Sequence, residues 1–184
     1  FTRTLGKLAE ISDAGISIHY FAGNHDMWLV DYFQKELNLT VHNKPKIFTI
    51  NDKKFFVGHG DGLGPGDKSF KIMKKIFKNP FFNWCFRCVH PDLGIKLGKY
   101  LSNKNRLKSS LEDLKFNGNE NEWLTKYCKE KLKNEHYDYF IFGHRHIPLE
   151  IELTPNSTYI NLGDWITHFS YAVFDGRQVL LDKD

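Results

Sequence analysis

Three short stretches of this chain repeat one layout, and together they limit what it can fold into. Gly23-Asn24-His25-Asp26, Gly58-His59-Gly60-Asp61 and Gly143-His144-Arg145-His146 each follow an apolar, strand-like run and set a glycine ahead of polar residues. Those polar residues are of the kinds that bind metals or transfer protons. One such stretch is only a turn at a strand end. Three of them ask for a fold that gathers three strand ends, as layered α/β sheets do at the carboxyl ends of their strands.

The rest of the pattern supports that architecture. Leu5, Leu8, Ala9 and Ile11 mark an amphipathic helix within residues 1–14 that stops at Gly15. Residues 16–22 read as a strand apolar on both faces, with His19 structural, and residues 28–38 as a short helix spaced on Leu29, Phe33 and Leu37. Residues 46–50 and 53–57 are predicted strands joined at Asn51-Asp52. Glycines on both sides of His59 let the backbone turn sharply there. Asn119 and Glu122 resemble a capping box opening a helix whose apolar face is Trp123, Leu124, Tyr127, Cys128 and Leu132. Residues 137–142 then form the strand into the third turn, followed by hairpins around Pro155-Asn156 and Asp175-Gly176. The order is α/β first, then a helical insertion, then an antiparallel end.

The insertion, about residues 66–118, has its own texture. Asp67 can cap a helix with Phe70, Met73, Ile76 and Phe77 on one side, and Lys68, Lys71, Lys74, Lys75 and Lys78 over much of the rest, ended by Pro80. Phe81, Phe82, Trp84 and Phe86 follow, and then a second helical pattern on Leu93, Leu97, Tyr100 and Leu101. Such a basic, aromatic, amphipathic block suits a membrane surface or an acyl chain, and equally a solvated cap on the domain.

A length of 184 residues with 41% hydrophobic and 26% charged residues suits a single globular domain spanning 1–184. No apolar run approaches the roughly 20 residues of a membrane span. Three cysteines cannot all pair, so a reducing compartment is the simpler reading. Cys85 and Cys88 form a C-x-x-C with no second pair, and ordinary packing is expected of them. A net charge of +4 favours anionic partners without identifying them, and no nucleic-acid partner is expected.

His144 and His146 lie one residue apart, so both rings can face one cluster from an extended segment. With Asn24 and His59 they make four neutral ligands. Two divalent ions would need carboxylates as well, and Asp26 and Asp61 suit either ligation or the orientation of a neighbouring imidazole, the second being favoured. Asp164 is expected to support a ligand loop. His42, His90, His136 and His168 have no partner motif and read as structural or exposed.

The three turns, in this order, resemble those of the calcineurin-like metallophosphoesterases. The resemblance implies a layered fold of β-sheets between helices and two divalent ions, with Mn2+ the expected metal. It matches Asn24, His59 and His144 to ligands of one ion and His146 to a ligand of the other. It matches His25 to the histidine that contacts the phosphate and helps the leaving group depart, with Asp26 behind it. The family begins with an Asp-x-His strand and a Gly-Asp-x-x-Asp turn, and neither occurs before Gly23. The chain, which starts at Phe1 without the layout of a signal peptide, is expected to be processed, trimmed or incomplete at its start. About 60 residues with two sheet strands would precede it, in keeping with βαβ units of about 30 residues.

A narrower resemblance is to the UDP-2,3-diacylglucosamine hydrolases, carried by Gly58-His59-Gly60-Asp61, Asp67, the basic aromatic insertion and Leu162-Gly163-Asp164-Trp165. It implies cleavage of a nucleotide-linked glycolipid at its pyrophosphate, giving UMP and diacylglucosamine 1-phosphate in lipid A synthesis. The enzyme would be peripheral on the cytoplasmic face of the bacterial inner membrane. Asp67, Ser102 and Asn103 would contact sugar or nucleotide. Arg145 would face the substrate or lie on the surface. The alternatives are a soluble phosphodiesterase or nucleotidase with a plain helical cap, and a non-catalytic scaffold.

Overall fold

A central five-stranded sheet has the order β3-β4-β5-β7-β6. Its strands are β3 (Lys46–Ile50), β4 (Lys53–Val57), β5 (Tyr139–Phe142), β6 (Pro148–Thr154) and β7 (Ser157–Leu162). The computed structural model describes residues 2–26, 29, 31–64, 75–76, 79–100, 118 and 122–183. β4, β5 and β7 run parallel, and β3 and β6 close the edges antiparallel. Successive side chains of a strand point to opposite faces, and this sheet is covered on both. Phe56, Phe140, Phe142 and Tyr159 pack under Leu124 and Cys128 of helix α5 (Trp123–Leu132). Phe55 and Ile160 meet Val179, Ala172 and Phe174 on the hairpin of β8 (Ser170–Phe174) and β9 (Val179–Lys183). Each large side chain removed from water in this way contributes about 1.5–3 kcal/mol. The result is a mixed α/β arrangement consistent with the calcineurin-like phosphoesterase fold.

The turn chemistry works as the residues predict. Asn51 and Asp52 take φ of 48° and 61°, the left-handed pair of a tight hairpin. Helix α1 (Thr2–Asp13) ends just before Gly15 at φ 81°. β1 (His19–Phe21) is shorter than residues 16–22 and is joined in parallel by β2 (Thr40–His42), which no pattern announced. Helix α2 (Tyr32–Leu37) is likewise only the core of residues 28–38. His42 has a partner after all, since its Nε2 lies 2.9 Å from His19 Nδ1 across the two strands.

In the insertion, Pro80 opens a helix rather than only ending one. α3 (Pro80–Arg87) carries it at the first turn, where its missing N–H costs nothing, and the Asn79 side chain accepts from Phe81 N at 2.9 Å. A further helix, α4, covers residues 91–100. Asp67, the 67–74 helix pattern, Ser102 and Asn103 lie outside the described residues. Cys85 is half-buried and Cys88 exposed, so the packing expected of the C-x-x-C pair does not extend to Cys88; both are free thiols, as is buried Cys128.

Candidate active site

The three turns occur where strands β1, β4 and β5 end, and the loop after β7 joins them. Their meeting is built from backbone. The His59 carbonyl accepts from Gly143 N at 3.1 Å and His144 N at 2.9 Å, and Gly58 N donates to the Ile141 carbonyl at 3.1 Å. The His59 and His144 rings stand edge to face with centroids 5.1 Å apart. The first turn lies directly against this pair, since a Cβ on Gly23 would fall 2.6 Å from His59 Nε2. Only a residue without a side chain permits that approach.

Each imidazole is held for a purpose. His59 Nδ1 is 2.9 Å from Oδ1 of the buried Asp61, which leaves Nε2 as the outward nitrogen. That carboxylate–imidazole contact is the orienting role expected of Asp61. His144 is flanked by Trp123 at 6.0 Å between ring centroids, and its buried Nδ1 has no hydrogen-bond partner among the described residues. Burial, with the neighbouring His59 acting the same way, brings its pKa down to about 3. Such a ring is neutral near pH 7, the form that ligates metal. An orphaned buried nitrogen and a second outward nitrogen beside it fit a metal-binding role. Among the described residues no three His, Cys, Asp or Glu side chains gather around one point.

His146 lies two residues beyond His144 on the same turn. Its backbone is left-handed at φ 54° and its side chain is half exposed, with Nδ1 3.9 Å from Asp164 Oδ2. Asp164 braces its own loop. Its Oδ1 accepts from Ile166 N, Thr167 N and His168 N at 3.1, 2.6 and 3.0 Å. Burial pushes the Asp164 carboxyl up, but these three N–H groups outweigh it and hold the pKa at about 2. His168, which showed no partner motif, also faces Asp164 at 3.7 Å.

Asn24 and exposed His25 sit on the first turn, next to Gly23. The described bonds of Asp26 run to the turn itself rather than to His25. Its Oδ2 accepts from the Tyr20 hydroxyl at 2.8 Å and from Gly23 N at 3.4 Å. Arg145 differs most from expectation. It does not lie on the surface, because its side chain is buried and its Nε donates to Glu122 Oε2 at 3.1 Å. Glu122 correspondingly makes no side-chain cap for α5, despite preceding its first residue. Asn119, the other half of the expected capping box, lies outside the described residues; Glu122 is drawn to Arg145 because a carboxylate removed from water is held better by a guanidinium than by an exposed helix end.

The chain is 40% identical to a UDP-2,3-diacylglucosamine hydrolase of Porphyromonas gingivalis across 197 aligned residues, which take in 100% of this chain and 74% of that protein. It belongs to the UDP-2,3-diacylglucosamine hydrolase family. Hydrolases of the same name from Wigglesworthia glossinidia brevipalpis and Edwardsiella ictaluri are 28% and 24% identical, with 61% and 68% of their lengths covered. No protein-family model matches the chain.

Proposed function

We propose that the protein hydrolyses the pyrophosphate of UDP-2,3-diacylglucosamine, releasing UMP and 2,3-diacylglucosamine 1-phosphate in lipid A synthesis. The observation that carries this reading is the knot of Gly23, His59 and His144, where an outward imidazole nitrogen and a buried unpartnered one meet beneath the first turn. In this reading Asn24, His59 and His144 hold one divalent ion and His146 a second, with Mn2+ the expected metal. Two bound divalent ions supply Lewis acidity toward the phosphoryl oxygens and make water acidic enough to attack at neutral pH.

The chain's own groups do the rest. Asp61 fixes the tautomer of His59, and burial keeps His144 unprotonated. His25, exposed on the first turn, contacts the phosphate and delivers a proton to the leaving oxygen. Asp26 acts through the shape of that turn, which Tyr20 and Gly23 lock around its carboxylate. Asp67, Ser102 and Asn103 remain the proposed contacts to sugar or nucleotide.

The insertion is proposed to meet the acyl chains and the cytoplasmic face of the membrane. Supporting this, Phe81 and Trp84 on α3, and Leu93 and Tyr100 on α4, are each 60% or more exposed. Among the described residues no helix is long and apolar enough to cross a membrane. The test is UMP release from UDP-2,3-diacylglucosamine by the full-length protein with Mn2+, set against simple nucleotides and phosphodiesters. Turnover of the lipid substrate is expected; its absence would overturn the proposal, and a preference for water-soluble nucleotides would make the insertion a plain cap.

A further inference from the structure

Arg145 occupies the one position between His144 and His146, and its side chain turns inward instead of toward solvent. It reaches Glu122, the residue just before α5, with Nε to Oε2 at 3.1 Å and side-chain exposures of 7% and 2%. Two charges taken that far from water often add little stability over a neutral packing of similar volume, and fixing local geometry is a role that such pairs serve in some proteins. The surroundings are polar as well. The second Glu122 oxygen, the Thr125 hydroxyl and the Tyr159 hydroxyl are buried with no hydrogen-bond partner among the described residues. Burial first, and the Glu122 charge second, push the Tyr159 hydroxyl well up. Trp123, adjacent to Glu122, forms the wall beside His144. Glu122 and Trp123 thus bring the start of α5 against both Arg145 and His144.

We infer that the Glu122–Arg145 ion pair is a positioning device that sets the His144-Arg145-His146 turn on the start of α5 and so holds both histidines in their metal-binding geometry. Arg145 is the link, because moving its guanidinium moves the backbone that carries a histidine on each side. The inference rests on the metal-dependent reading proposed above.

The experiment uses the full-length protein and reads Mn2+ affinity by titration calorimetry, with the kcat and KM of hydrolysis as a second measure. Removing one partner strands a buried charge and risks unfolding, so the deciding variant removes both: Glu122→Leu with Arg145→Met. A buried pair replaced by apolar groups of similar size commonly keeps or raises stability. The double variant is expected to melt as the unaltered protein does but to bind Mn2+ about 10–100-fold more weakly, the usual effect of losing a group that orients a ligand. Arg145→Lys, which keeps the charge without the fork, is expected to recover part of the affinity. Unaltered Mn2+ affinity in the folded double variant overturns the inference and leaves the metal reading intact. If the unaltered protein binds no Mn2+, the metal reading itself fails.

Discussion

A methyl group at position 23 would sit 2.6 Å from His59 Nε2, so Gly23→Ala must rotate that ring or lift the first turn from it. Gly23 is not among the positions with positive φ, so the backbone itself tolerates alanine. The expected outcome is a fold retained by circular dichroism and a kcat lower by about 100-fold, the scale of an ångström-sized misplacement. Turnover within twofold of the unaltered enzyme would show that the close approach is unnecessary. His59→Ala and His144→Ala should each remove metal-dependent turnover while leaving the fold, because both rings sit beyond the ends of their strands. Near-normal activity in either would reject that residue as a ligand.

At the level of elements, the opposite end of the sheet is pinned by one carboxylate. Asp138 Oδ2 accepts from Lys54 N at 2.8 Å and its Oδ1 from Lys53 Nζ at 3.0 Å, tying the start of β4 to the residue before β5. Burial pushes this carboxyl up, but the Lys54 N–H and the Lys53 ammonium outweigh it and hold it below the usual value. A lowered folded-state pKa contributes stability above the unfolded value of 3.8, lost as pH falls through the folded one. Asp138→Asn should therefore lower Tm near pH 7 and flatten the fall in Tm between neutrality and strong acid; an unchanged acid limb would remove Asp138 from that role. On α5, Leu124 is fully buried against the sheet. Leu124→Ala should cost about 2–5 kcal/mol in urea unfolding.

For the whole molecule, the insertion connects the site to its surroundings. Its lysines at 71, 74, 75 and 78 stand in the same sequence block as the exposed aromatics of α3. Basic residues near an anionic bilayer contribute roughly 1 kcal/mol each, screened by salt. Replacing all four lysines should weaken binding to phosphatidylglycerol vesicles strongly at low salt and much less at high salt. Unchanged vesicle binding would favour a helical cap that serves only the domain.

Much of this was legible from residues alone. Apolar, strand-forming runs in 53–57, 137–142 and 158–162, glycines after them, and turn pairs such as Asn51-Asp52 made the sheet strands, the hairpins and the three turns legible, because these depend on local geometry and composition. What they could not reveal was who meets whom. β2 is three residues long and owes its existence to β1 beside it. Glu122 carries a helix-start pattern, yet only the packed fold puts Arg145 against it, because an ion pair 23 residues apart leaves no trace in spacing. Likewise Gly23 reads as a turn glycine until the ring of His59, on another strand, comes to rest on it. Local chemistry settled which groups the protein carries; burial and long-range contact decided which nitrogen faces out, which carboxylate stands behind it, and which arginine turns inward.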